Sequence, residues 1–237
     1  MASHLEFSGF SKQTIKFYRD LKENNSKAWF EENRNIFNDY VMAEAQLFVV
    51  EIGNRLEKIA PEIVAIPKTD KSIFRIYRDV RFSKDKKPFK THLALLFWEG
   101  PFKKLENSSF YFHLEPSRLF LGSGIYVFPK HIIQEYRDSV VHSKYGKELV
   151  QIIETVQKNS SYKLGWKQYK KTPRGYDPEH KNADLLLHGG LGFQFEETIP
   201  KQIYTSEAVD YVFEKFKEMA PIHNWLRKMT ERVAKNS

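Results

Sequence analysis

The chain has no cysteine in its 237 residues. Disulfides, thiolate metal sites and cysteine nucleophilic catalysis are therefore excluded together. Long apolar runs are missing too. The longest, LALLFW from Leu93 to Trp98, falls far short of the ~20 residues a helix needs to cross a bilayer. The first residues, MASHLEFSGF, lack the basic flank and apolar core of a secretory signal. The expectation is a cytoplasmic protein with no membrane partner. No internal repeat and no low-complexity linker interrupts the chain. No Walker-type loop, HExxH, close His pair, GxSxG or DxDxDG loop occurs. The sequence thus names no cofactor, and no metal site is expected.

What is present suits a folded protein. Hydrophobic residues make up 41% and charged residues 29%, and aromatics reach 15% through 19 Phe and 12 Tyr. A disordered chain would be poor in aromatics. The length suits one large domain or two small ones; a single domain over 1–237 is expected.

The net charge is +8, and it is concentrated. RIYRDVRFSKDKKPFK, Arg75–Lys90, carries seven basic and two acidic residues. Lys163–Tyr176 carries five basic residues and no acid, while the remainder sums to −2. Either the lysines only solvate two loops, or the segments meet an anionic partner.

Ser11 and Ser26 read as N-caps of two amphipathic helices, the second continuing to Ala60 before Pro61. With them the helical N-terminal part spans about 11–60. From Ser72 the period changes to two: Phe74, Ile76, Val80 and Phe82 alternate with Arg75, Tyr77, Asp79 and Arg81. That spacing predicts a strand over 73–82 with Phe74, Ile76 and Val80 in the core and Arg75 and Tyr77 on the other face. Residues 91–100 and 108–116 are further strands, and EPSR turns into RLFLGSGIYVF. Gly122 and Gly124 there suggest a bulge or a close backbone approach. The sheet core is expected over about 72–128. Helices follow from Pro129 and Gly146, then an irregular stretch over 159–181. A strand at 192–196 and two helices near 206–219 and 222–234 close a helical C-terminal part over about 129–234. The fold class expected is α+β: a mainly antiparallel sheet flanked by N- and C-terminal helices.

Three groups of residues carry possible chemistry. Arg75, Arg78, Arg81, Lys84, Lys87 and Lys90 concentrate positive charge, and arginine forks suit planar bidentate anions. Asp79 is expected to pair with an arginine of its own segment. Tyr111, His113 and Glu115 share one strand face; His113 and Glu115, with Asp79, are the acid–base candidates. The alternative is a solvent-facing strand. In KKTPRGYDPEH, Pro173 and Gly175 hold Arg174 on a bend, as a ligand arginine or a surface one. The two basic segments are expected to converge on one anion site.

RIYRDVRFSKDKKPFK resembles the core of a widespread bacterial and fungal family catalogued as a conserved domain of unknown function. The matching residues are Arg75, Arg78-Asp79, Arg81 to Lys86, Pro88, Phe89 and Lys90. NNSKAWFEENR, YFHLEP, GSGIYVFP and KTPRGYDPEH resemble its other segments, so the likeness covers nearly the whole chain. Phe89 stands where the family often has Tyr. The resemblance implies which residues matter and no reaction. Three readings follow: a basic, aromatic-lined pocket for a small phosphate- or carboxylate-bearing ligand, with or without catalysis; a nucleic-acid-binding module; or a structural network of arginines and aspartates.

Overall fold

A computed structural model describes residues Glu6–Asn236. The chain forms two compact units. The first takes the chain up to Phe97 with Tyr111–Phe120 and Glu196–Glu214; the second takes Trp98–Phe110, Leu121–Phe195 and the chain from Lys215.

The first unit begins with capped helices. The Ser11 hydroxyl accepts from the Thr14 amide at the start of α1 (Lys12–Glu23), and Ser26 does the same for Trp29 before α2 (Lys27–Glu32). Each cap satisfies a donor that the first helical turn leaves unpaired. After α3 (Arg34–Ile36), wider helical turns over Phe37–Met42 lead into α4 (Ala43–Leu56). Ala45, Phe48, Val49, Ile52 and Leu56 recur at helical spacing on α4, and all are buried. Phe48 meets Phe7, Phe10 and Phe112 with ring centroids 5.0–5.1 Å apart. Each such ring contributes about 1.5–3 kcal/mol by leaving water. Glu44 fixes the entry to α1 by accepting from the Ser11 amide and the Thr14 hydroxyl at 3.0 and 2.6 Å.

Five strands form one antiparallel sheet: β1 (Leu93–Glu99), β2 (Ser108–Glu115), β3 (Arg118–Ile125), β4 (Lys163–Lys167) and β5 (His188–Glu197), in the order β1-β2-β3-β5-β4. With helices at both ends of the chain, the fold is α+β, as the patterning predicts. β1 is buried on both faces apart from Trp98. β2 alternates, with Phe110, Phe112 and Leu114 inside.

In the second unit, Gly124 has φ +141°, and a Cβ there would sit 2.2 Å from the Leu191 carbonyl oxygen. The expected close backbone approach is therefore made by β5. α5 (Lys130–Val141) and α6 (Ser143–Gln157) follow Pro129. The Tyr136 hydroxyl donates to the Leu185 carbonyl at 2.8 Å, and the Trp225 indole to that of Tyr145 at 3.1 Å.

Three expectations need correction. Residues 72–82 form no regular strand; the sheet begins at Leu93, and only isolated bridges join Ile73 to Leu95 and Tyr77 to Phe89. Of the expected core set, Ile76 is buried and Phe74 and Val80 are half-buried; Phe82, which continues the same spacing, is 96% exposed. Arg75 and Tyr77 are exposed, as expected. The irregular stretch at 159–181 contains β4, an edge strand exposed at its two lysines and paired to β5 alone. The two C-terminal helices are one, α7 (Ala208–Lys235), which accommodates Pro221 in its interior.

Candidate functional site

The basic motif folds as a tied loop. The Arg78 amide donates to the Pro88 carbonyl and the Lys90 amide to that of Ile76, both at 2.8 Å. These bonds close a short ribbon, and Asp79–Lys87 is its loop. Two aspartates turn it. Asp79 accepts from the Arg81 amide at 3.2 Å and pairs with the Arg81 guanidinium at 2.7 Å. Asp85 accepts from the Lys87 amide at 3.0 Å and pairs with Arg78 at 2.8 Å. An aspartate that bonds the backbone two residues on makes a turn of its own, which competes with a strand ladder. That is the physical reason the period-two pattern misleads here.

Phe89 anchors the loop. It is 1% exposed and stacks on Phe30 with centroids 4.5 Å apart. Asn25 clamps its backbone from both sides, accepting from its amide and donating to its carbonyl at 3.0 Å each. The ring at this position is a packing group.

Beside the anchor lies a cleft of about 310 Å³. Lys22, Arg78, Lys87 and Lys90 bring four positive charges to its lining, against the one carboxylate of Asp85. Asn25, Thr91 and His92 add polar groups. Lys90 also donates to the Arg75 carbonyl at 2.8 Å and lies over the Phe74 ring. Burial and the nearby Arg75 charge lower its pKa. The two hydrogen bonds from Arg78 to Asp85 and the Lys87 carbonyl both use Nη1.

His92 joins this cleft to β2. Its ring stacks on His113, centroids 4.0 Å apart and planes 23° apart. Burial, with His113, Lys90 and Arg118 nearby, pushes the His92 pKa down to about 3. His113 is also lowered, chiefly by burial, with Glu115 opposing. Burial raises Tyr111 to about 12, so its hydroxyl keeps its proton. That hydroxyl lies 3.1 Å from His113 Nδ1. Where the Tyr111 hydroxyl donates, neutral His113 carries its proton on Nε2; where Nδ1 carries the proton, Tyr111 accepts. His113 Nε2 is buried without a hydrogen-bond partner, 3.7 Å from Glu115. Glu115 is engaged by Arg118, which also holds Glu196 at 2.7 Å.

The sequence candidates thus divide. Arg78, Lys87 and Lys90 line the cleft, and His113 and Glu115 lie behind His92. Asp79 is paired with Arg81 as expected, which holds its pKa at about 2. Both lie outside the lining, as do the exposed Arg75 and Lys84. Arg174 belongs to the second unit and lines a cleft of about 610 Å³ with Lys170, Lys171 and Tyr176. Gly175, at φ +94°, makes the bend beside it. Lys22, Asn25 and His92 were not legible, because contacts across the fold rather than spacing bring them to the motif.

A second arrangement also escaped the sequence. In the second unit, Ser108 Oγ lies 3.0 Å from His223 Nδ1, and His223 Nε2 lies 3.0 Å from Glu99. This order resembles a nucleophile, base and orienting acid. Yet His223 and Glu99 side chains are 0% and 1% exposed and Ser108 is 0% exposed, so no substrate reaches them. Burial keeps His223 neutral, and Arg227 at 3.3 Å balances Glu99. The set satisfies buried polar groups.

Residues 13–225 match the family of conserved hypothetical proteins DUF2461. The chain belongs to this family. No curated protein matches the chain. Among the described residues no group of three His, Asp or Glu is placed to hold a metal ion. No described helix is long and apolar enough to cross a membrane.

Proposed function

We propose that the motif cleft of this DUF2461 member binds a small ligand through a phosphate or carboxylate group. One observation carries the reading: four cations and one carboxylate line a recess that a buried aromatic anchor and paired Asx turns hold in place. Like charges gathered in a small space favour a counter-charge. Ligand pockets usually have volumes of about 300–1,000 Å³, and the cleft reaches the lower end of that range. Arg78 and Lys87 are the principal anion contacts, with Lys22 and Lys90 at the sides. His92 brings one neutral imidazole to the lining, with His113 stacked on it, and an imidazole there is the equipment for acid–base chemistry on a bound group. Titrating phosphate into the protein by calorimetry tests the reading. Saturable binding that Lys87→Ala weakens supports it; binding unchanged by Lys87→Ala contradicts it.

A second reading rests on Phe82. Its ring is 96% exposed at the loop, with the Arg81 guanidinium 5.8 Å from its centroid. An exposed ring among cations suits base stacking in single-stranded nucleic acid. Binding to a pyrimidine oligonucleotide that falls steeply with salt and is lost in Phe82→Ala would favour it over the small ligand.

The structural-network reading has less support. Arg81 and Asp79 side chains are 77% and 45% exposed, and exposed pairs add little to stability.

A further inference from the structure

We propose that the motif cleft takes a dianionic, phosphate-type group in preference to a carboxylate, and that His92 takes up a proton when it binds. The inference rests on the anion-binding reading above and adds the ligand class and the proton-handling residue.

Formal charge makes the first argument. Lys22, Arg78, Lys87 and Lys90 share the lining with one carboxylate, Asp85. Four cations against one anion leave an excess of three. A carboxylate offsets one of these charges and a dianion two. The doubly charged group is better matched, and Arg78 has part of its guanidinium fork uncommitted to the loop.

Geometry makes the second. His92 lines the same recess, so a bound group comes within reach of its ring. Behind it, the His113 ring fixes its plane by stacking at 4.0 Å. His113 is itself held through Tyr111 at 3.1 Å. His113 is thus a positioning residue, and His92 the group that meets ligand.

Without ligand, a proton on His92 would be a further positive charge in a positive, partly desolvated site. Lys90 on its own segment and Arg118 from β3 both oppose it, as does His113 if charged. Glu115 faces His113 and is itself engaged by Arg118. A dianion cancels most of the excess positive charge in the lining and offers acceptors to the charged form of the ring; both favour protonation. The balance is simple. One proton leaves the buffer, one N–H bond forms on His92, and no other bond changes.

Sulfate is the probe, because it keeps two charges near neutral pH and brings no titrating proton of its own. Its binding is measured by calorimetry near pH ~6, within the range where histidine readily changes charge, in two buffers of different ionisation enthalpy. The expected result is a buffer-dependent heat equal to a fraction of a proton taken up per sulfate. His92→Gln should remove that dependence and weaken sulfate several-fold. Acetate should bind more weakly than sulfate and take up less. Sulfate binding with a buffer-independent heat overturns the proton uptake and leaves the anion site standing. Acetate binding as tightly as sulfate overturns the dianion preference. Failure of sulfate and phosphate to bind at all removes the anion site itself. Should His92→Gln not fold, the His92 ring proton resonance in the unaltered protein replaces it: its titration midpoint should rise on saturation with sulfate, and an unmoved midpoint overturns the proposal.

Discussion

His92 and His113 lie ring over ring at 4.0 Å, one lining the motif cleft and the other on β2. Both are held neutral, chiefly by burial. The unfolded chain has no such burial, and its histidines titrate near ~6.5. The sign follows directly. Between about pH 6.5 and the lower folded values, the unfolded state binds protons that the folded state refuses, so stability falls as pH falls.

Acidification should therefore destabilise the protein by up to about 1.4 kcal/mol per pH unit for each such histidine. His92→Gln should flatten the slope of denaturant-derived stability between about pH 6 and 4. A slope unchanged by the substitution would show that His92 titrates normally.

The buried line Ser108–His223–Glu99 should matter to stability rather than to ligand binding. Replacing His223 by Ala removes one hydrogen-bond partner from Ser108 and one from Glu99, while Arg227 stays beside Glu99. Taking the partner from a buried polar group costs about 1–3 kcal/mol, and two groups are affected. Denaturant unfolding reads this directly; a loss below about 1 kcal/mol, the scale of one ordinary hydrogen bond, would contradict it.

Asn25→Ala removes both hydrogen bonds that clamp the Phe89 backbone. A loss of about 1–3 kcal/mol is expected, at the scale of leaving buried partners unpaired. Asp79→Asn, by contrast, should leave the melting temperature nearly unchanged, because its pair with Arg81 is exposed. If the ranking of the two variants were reversed, the loop would be held by its ion pairs and not by its anchor.

Local chemistry was readable where it governs local structure. Ser11 and Ser26 cap helices through bonds to the Thr14 and Trp29 amides, and β2 shows its alternation plainly. The same rules misled where side chains satisfied the backbone in place of a ladder, as Asp79 and Asp85 do in the motif. β4 was hidden because KLGWK, on an edge strand, has exposed lysines at its ends and a glycine within. The stretches near 206–219 and 222–234 read as two helices, yet α7 continues through Pro221 with one backbone donor fewer. Three of the four cleft cations, Arg78, Lys87 and Lys90, were legible as charge. His92 was not, since only its stacking on His113 of β2 and its place in the lining mark it out.

The anion site is tested most directly by thermal unfolding against sulfate, phosphate and chloride at constant ionic strength. A ligand that binds only the folded state stabilises by about 2.7 kcal/mol at one hundred times its Kd. Sulfate and phosphate should raise the melting temperature in a saturable way that chloride does not match. Lys87→Ala should sharply reduce the rise, and Lys147→Ala, on α6 of the second unit, should retain it. Equal shifts for all three anions, or a rise that Lys87→Ala leaves whole, would contradict the account.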